Sequence, residues 1–372
     1  MEVFNIKVLQ IISGNDAGGG GNHVLNLSFY SKNMFECIIG AIGEGIVIDK
    51  AKELGIETVS FTSKSIYNGS LLTYIKENNI DIINFHGAKA FFMHYFLKNK
   101  LEIPSVATIH SNYKKDFLNN KFKHLLFTPL SIRGIRSFSN YICVSKYIKN
   151  LLENDRVKGK KFLVNNGIEY SSVKITIDKD EIREKYSIDA NDFVFVNVAR
   201  MHPIKNHSAL IEAFAKLRKE TKGIKLLLIG DGELEYQLKD KVRDLVLDKD
   251  IIFTGFVNNT IDFVNASDIS ILTSFSEGGS PPLVILESAA VKKTFICSKV
   301  GDIDETINSD NGFLVNPYEV NDIYEKMKEA YSQREHLMIK GKNLYERVKE
   351  DYSMNEFCTK YHNAYKEILV RR

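Results

Sequence analysis

The sequence predicts an α/β protein built of two doubly wound, Rossmann-like domains in tandem. Three observations predict it. Short β-branched runs alternate with amphipathic stretches, the pattern of parallel sheets covered by helices. That pattern is broken once, at EYSSVKITIDKDEIREKYSIDAND, and then restarts. The 372 residues suffice for two domains that each bury a core.

In the first half, strands are expected at KVLQIIS, ECIIGAI, TVSF, IDIINFH, SVATIH and YICVS, with helices such as HVLNLSFYSKN and GSLLTYIKENN between them. In the second half DFVFVNVAR reads as strand, HSALIEAFAKLRKET as helix, and KLLLIGDG as a strand closing in a Gly-Asp-Gly turn. ELEYQLKDKVRDLVL (helix), DIIFTGF (strand), IDFVNAS (helix) and DISILTS (strand) follow. PLVILESAAVKK is helical, TFICS is a strand, and the stretch from VNDIY to KEDYS forms two polar-faced helices. The domain boundary is expected near residues 168–190, dividing the chain into 1–170 and 171–356. Sheets of this kind bind ligands at the carboxyl ends of their strands, so two facing domains imply a site in a cleft.

Composition narrows the function. The opening MEVFNIKVLQIISG carries an acid and a lysine within a short apolar run, and no stretch is apolar enough to span a bilayer. Cys37, Cys143, Cys297 and Cys358 lie far apart without a CxxC pair, which argues against zinc and for reduced thiols in the cytoplasm. Residues 1–170 hold 21 Lys/Arg against 14 Asp/Glu, whereas 171–372 hold 29 against 33. A basic first half suggests an anionic ligand or surface.

ISGNDAGGGGNHV follows the first strand and opens the first helix, so its backbone can approach an anion. It is neither familiar phosphate loop. The Lys of a P-loop is missing after Gly14-x4-Gly19, and His23 stands where a dinucleotide fingerprint needs its third Gly. Late in the chain SEGGSPPLVILESAA sets Glu277 and Glu287 around a Gly-Gly-Ser-Pro-Pro turn, an arrangement suited to holding a sugar and its nucleotide.

VARMHPIKNHSALIEAF, LLLIGDGELEYQL, the run from IIFTGF to SFSEG, PLVILESAA and ETINSDNGFLV occur in this order and spacing. With the Gly-rich loop, ATIHSNY, YICVSKYIKN and FLVNNGIE of the first half, they resemble the retaining glycosyltransferases of family 4, which have the GT-B fold. The resemblance spans nearly the whole chain. It implies an acceptor-side first domain, a nucleotide-sugar-binding second domain, and a C-terminal helix over about 357–372 that packs back on the first.

The same resemblance implies roles for residues. Arg200 and Lys205 match the basic pair that holds the donor diphosphate, and fixed cations suit a leaving group that gathers negative charge. Glu287 matches the glutamate that binds the ribose hydroxyls. Gly279, Ser280, Pro281, Pro282 and Leu283 form the turn that contacts donor sugar and phosphates. Gly19 and Gly20 match the loop that closes over the diphosphate, His110 a strand-end histidine that approaches the donor sugar, and Asn166-Gly167 an interdomain turn. Nine residues (278–286) separate the two acids, two more than the family pattern, which puts Gly279 at the usual place of the first acid. Either the turn bulges so that Glu277 still reaches the sugar, or that role has shifted or gone; the kept SFSEG lead-in favours the bulge.

The implied reaction moves a hexose-type sugar, from UDP by family preference, to an acceptor hydroxyl by front-face attack in cell-surface polysaccharide or glycoconjugate synthesis. No cofactor is needed. Asp302-Ile-Asp304 resembles a metal motif, but Arg200 and Lys205 already supply charge, so no metal is expected. Two rivals remain: a UDP-sugar epimerase, and a non-catalytic GT-B partner of another glycosyltransferase, which the lengthened gap favours. Residues 111–150 hold eight Lys/Arg and one acid. The basic-aromatic part, 113–138, could rest on the inner face of an anionic membrane and receive a lipid-linked acceptor; no nucleic-acid-binding module surrounds it.

Overall fold

The computed structural model describes residues 6–16, 18–62, 64–114 and 121–370. The chain divides into two compact units. One runs to Gly167 and regains Gly278–Ser280 and the chain from Met354 onward; the other comprises Ile168–Glu277 and Pro281–Ser353. The expected division after residue 170 thus meets an observed one after Gly167, and a three-residue loop segment changes allegiance.

The first unit holds a parallel sheet of seven strands: β1 (Lys7–Ser13), β2 (Glu36–Ile42), β3 (Thr58–Phe61), β4 (Ile82–His86), β5 (Ser105–Ile109), β6 (Asn140–Cys143) and β7 (Lys160–Leu163). Their order is β3-β2-β1-β4-β5-β6-β7, so the winding reverses between β1 and β4, where Val8 pairs with Ile82 and Ile11 with Phe85. β1 is buried on both faces, which is why it reads as a continuous apolar run. Gln10 is the exception, a fully buried amide at its centre.

The second unit repeats this plan with β8 (Phe193–Val198), β9 (Ile224–Ile229), β10 (Ile251–Gly255), β11 (Ile269–Leu272), β12 (Phe295–Ser298) and β13 (Gly312–Val315). The order β10-β9-β8-β11-β12-β13 places the reversal between β8 and β11. Helix His207–Glu220 covers the sheet with Leu210, Ile211, Phe214 and Leu217, an i, i+1, i+4, i+7 stripe that packs on Leu226 and Leu228.

Two details differ from expectation. The stretch 168–190 is not a bare linker. Asp178 caps helix Lys179–Lys185 by accepting from the Asp180 N–H at 2.8 Å, and Ile182 and Ile188 pack on Val194 and Val196. The last helix starts at Met354, not 357, and runs to Val370. It buries Phe357, Tyr361, Tyr365 and Ile368 against Ile6, Val8 and other residues of the first unit. All four cysteines are free and buried, and no helix among the described residues is long and apolar enough to cross a membrane.

Candidate active site

In the second unit the candidate residues gather at the carboxyl ends of β8 and β11, the two strands flanking the reversal. Beyond β8 the chain passes Arg200 and makes a 3₁₀ turn, Pro203–Lys205, before Asn206 in the left-handed region (φ 56°) starts the next helix. The turn is fixed locally by His202, whose Nδ1 accepts the Ile204 N–H at 3.2 Å. It is pinned to the extension of β11, because the Phe275 N–H donates to the Ile204 carbonyl at 2.8 Å and the Thr273 hydroxyl to that of Lys205 at 3.3 Å. These bonds bring Lys205 Nζ to 2.6 Å from Glu277 Oε1, with the two side chains only 24% and 12% exposed. Arg200 is exposed and forms no ion pair among the described residues.

Glu287 sits on helix Leu283–Ala290, whose N-terminus no side chain caps. Its Oε2 accepts from the Thr260 hydroxyl at 3.4 Å, and burial pushes its carboxyl above the ordinary Glu value. The side chain is half-buried and has acceptor capacity to spare for hydroxyl donors.

The Gly-Gly-Ser turn belongs to the first unit. Ser145 Oγ donates to the Gly278 carbonyl at 2.9 Å, and Asn165 Nδ2 to that of Ser280 at 2.8 Å. A Cβ on Gly278 would lie 1.8 Å from the His110 carbonyl oxygen, and one on Gly279 would lie 2.2 Å from Asn166 Nδ2. Close approach to backbone therefore requires the first glycine, while at the second the Asn166 amide would have to turn aside. Pro281 and Pro282 then lead the chain into the helix at Leu283.

The glycine loop divides its labour. A Cβ on Gly21 would strike the Asp16 carbonyl oxygen at 2.0 Å, whereas one on Gly19 would meet nothing within 4 Å. Asp16 Oδ1 accepts the Gly18 N–H at 3.0 Å, and its carboxylate lies 2.8 Å from where a Gly20 Cβ would be. The chain's own acid thus occupies part of the helix N-terminus that was expected to serve an anion.

Beside this loop lies a buried polar network. His86, at the end of β4, places Nδ1 2.9 Å from Nε2 of His110, which follows β5. His23 stands edge-on to His110 with ring centroids 4.6 Å apart, and its Nε2 is 2.6 Å from the Tyr361 hydroxyl. Burial holds His110 down to about 4 and keeps His23 and His86 well below the usual imidazole range. All three rings are neutral at pH 7. The Tyr365 hydroxyl accepts from Asn84 Nδ2 at 2.9 Å and from Gln10 Nε2 at 3.2 Å. Tyr365→Phe would take the acceptor from Asn84 Nδ2 and one of the two acceptors from Gln10 Nε2, which keeps Cys37 Sγ, so a stability loss of about 1–3 kcal/mol is expected, read as a lower urea midpoint at unchanged slope.

Residues 17–172 match the family model described as Glycosyltransferase Family 4, and residues 178–349 match Glycosyl transferases group 1. The chain belongs to glycosyltransferase family 4. It is 29% identical over 233 residues to an alpha-monoglucosyldiacylglycerol synthase of Streptococcus pneumoniae, covering 59% of this chain and 52% of that protein. It is 27% identical over 262 residues to an Escherichia coli UDP-Gal:alpha-D-GlcNAc-diphosphoundecaprenol alpha-1,3-galactosyltransferase, covering 68% and 66%. The match therefore spans between half and two thirds of these relatives' lengths. The crystal structure of Anabaena HepE in complex with UDP and glucose superposes with a TM-score of 0.83 at 18% identity, over 97% of this chain and all of that one. At that identity the likeness establishes the fold, which is GT-B.

The buried network holds what sequence reasoning missed. Gln10, Asn84, Thr108, Tyr361 and Tyr365 join the histidines, and Thr108 donates to Asn84 Oδ1 at 2.9 Å. A polar residue at the centre of an apolar strand was the available signal, and Gln10 and Asn84 both carry it. Of the basic-aromatic stretch 113–138, residues 115–120 and the side chains of 121–127 lie outside the described ones; at its ends Tyr113 and Phe138 are buried in the core. Lys114 is held by Asp155 at 2.5 Å. Asp304 lies 3.5 Å from Lys299, and no group of three or more His, Cys, Asp or Glu side chains among the described residues could hold a metal.

Proposed function

We propose that the chain is a retaining glycosyltransferase that moves a hexose or N-acetylhexosamine from a UDP-sugar to an acceptor hydroxyl in bacterial cell-surface glycoconjugate synthesis. The observation that carries this reading is the Lys205–Glu277 pair, with Arg200 close by in sequence beyond the same strand, at the reversal of a Rossmann-ordered sheet. Lys205 and Arg200 would stabilise the departing diphosphate, and Glu287 would accept the ribose hydroxyls. Glu277, held by Lys205, would meet the donor sugar despite the longer loop. The Gly279–Leu283 turn, His110, Gly19 and Gly20 are assigned to donor binding in the same proposal. No metal and no cofactor takes part, because the two cations carry the charge. The acceptor is lipid-linked, a reading supported by the diacylglycerol and diphosphoundecaprenol in the names of two relatives. The enzyme would work at the inner face of the cytoplasmic membrane.

The test needs no acceptor. Incubation with UDP-glucose, UDP-galactose and UDP-N-acetylglucosamine should release UDP slowly from one of them. The first anomer formed, read by proton NMR, should keep the donor's α configuration. A new UDP-sugar without UDP release would indicate an epimerase, and no reaction with any donor a non-catalytic partner.

Glu287 gives this reading a pH signature. Its carboxylate would accept the ribose hydroxyls, so donor affinity should fall as pH drops through its raised pKa, and Glu287→Gln should remove that limb along with most of the affinity. The stability dependence has the opposite sign. A carboxyl raised in the folded state loses stability as pH rises from its unfolded value through the raised one. Calorimetric titration with UDP across pH 4–7, as an approximate window around and above the ordinary carboxyl value, reads the binding limb directly.

A further inference from the structure

We propose that Thr260 is a positioning residue: its hydroxyl fixes Oε2 of Glu287, so that the carboxylate presents Oε1 to the paired hydroxyls of a ribose. The ribose clause rests on the proposed function, whereas the hold of Thr260 on Glu287 does not.

Both residues belong to the second unit. Thr260 opens helix Thr260–Ala266, a place where a Thr hydroxyl commonly bonds the backbone of its own helix. Here it turns away. The hydroxyl makes one hydrogen bond among the described residues, to Glu287 Oε2 at 3.4 Å. The neighbouring Asn259 fixes where the helix starts, since its Nδ2 donates to the Lys174 carbonyl at 3.2 Å and to Asp262 Oδ2 at 2.9 Å. A β-branched side chain is stiff at χ1, so the hydroxyl placed by these bonds keeps its direction. An ionised carboxylate only accepts, which makes Thr260 the donor. Its single O–H is spent on Oε2, and Oε1 is left without a hydrogen bond among the described residues.

Charged groups on the packed elements point elsewhere. Helix Leu283–Ala290 carries no titratable group besides Glu287 and packs on helices Thr260–Ala266 and Leu337–Val348. Asp262 of the first is turned to Thr176, whose N–H and hydroxyl it accepts at 2.6 Å each. The second gives Leu344 and Val348 to the shared core. Its Lys340 donates to the Ser309 carbonyl, Lys342 is exposed, and Tyr345 lies edge-on to Tyr170. Glu346 pairs with Lys349, and Arg347 Nη2 donates to the Glu305 carbonyl at 3.0 Å. Cys297, in the same core, stays a thiol because burial pushes it up. Two causes therefore act on the Glu287 carboxyl. Burial raises it, and the Thr260 bond draws it back by favouring the charged form. One bond both aims the carboxylate and helps to keep it ionised.

Thr260→Val keeps the side-chain shape and removes the donor; Thr260→Ser keeps the donor. Carbon-13 carboxyl titration of the free, glutamate-labelled proteins, with Glu287 assigned through Glu287→Gln, reads the first clause. The Glu287 midpoint is expected to rise in Thr260→Val and to stay near the wild-type value in Thr260→Ser. An unmoved midpoint in Thr260→Val would overturn the hold on Glu287. Calorimetry with UDP and with 2′,3′-dideoxy-UDP reads the second. Thr260→Val is expected to weaken UDP about tenfold, the weight of one hydrogen bond, and to leave dideoxy-UDP unchanged. Because binding needs the carboxylate, the loss should be larger at about pH 5 than at about pH 8, and Thr260→Ser should restore it. An equal loss for both nucleotides, an equal loss at both pH values, or no loss would overturn the ribose clause. Should UDP not bind the wild type at all, the proposed function falls and the ribose clause with it, while the titration still decides the first.

Discussion

Lys205→Ala is expected to lower kcat by about 10²–10³-fold, the usual effect of removing a fixed charge-stabilising donor from a transfer site. Two effects add. In the proposed reaction the departing diphosphate loses a cation, and Glu277, whose side chain is 12% exposed, loses the ammonium that holds it at 2.6 Å. An unpaired, half-buried carboxylate then faces an incoming anion, so donor affinity falls as well. The pair should be strongly coupled. In Lys205→Ala/Glu277→Gln the repulsion is gone, and donor affinity is expected to recover part of the single-variant loss although kcat stays low. Steady-state kinetics on the four proteins of the cycle measure the coupling. Strict additivity would mean that the ion pair has no bearing on the donor.

Gly278→Ala is the second change with a large expected effect, and its mechanism is steric. The new Cβ would start 1.8 Å from the His110 carbonyl oxygen and 2.8 Å from its carbon, both backbone atoms that cannot swing aside. Either the turn lifts away from Ser145 and Asn165 or the end of β5 shifts. Overpacking of this kind costs about 1–3 kcal/mol, and activity is expected to fall further if the turn binds the donor as proposed. Gly279→Ala should be milder, since the atom it meets at 2.2 Å is the Asn166 side-chain amide, which can rotate. Gly19→Ala provides the contrast. Nothing lies within 4 Å of its Cβ, so the melting temperature should hold, and any loss of activity would report a ligand that the backbone approaches there. Thermal melts and donor kinetics on the three variants separate fold from function.

The alternation of β-branched runs and amphipathic stretches made most of the two sheets legible before any coordinates. The strands it missed are β7 and β13, each four residues long and each the last in its sheet. β7, KKFL, is only half-buried throughout, so it lacks the continuous apolar signal that marks β1 or β4. The missed helix Lys179–Lys185 is polar apart from Ile182 and shows itself through its Asp cap. At the site, Arg200, Lys205, Glu277 and Glu287 could be picked out because motifs several residues long surround them. The histidine network could not, because His23, His86, His110, Tyr361 and Tyr365 come from four separate elements and meet only when the sheet is wound and the last helix docks on it. Spacing also hid the reason for two adjacent glycines at 278 and 279, which is contact with His110 and Asn166.

Donor binding tests the central claim most directly: isothermal titration of the wild-type protein and Glu287→Ala with UDP and with UDP-glucose, UDP-galactose and UDP-N-acetylglucosamine, without added metal. The account predicts saturable binding of UDP and of one sugar nucleotide to the wild type, undiminished by EDTA, and loss of both in Glu287→Ala with the melting temperature of the free protein kept. Equal binding in the two proteins, or none in either, would contradict the assignment of the second domain as the donor site.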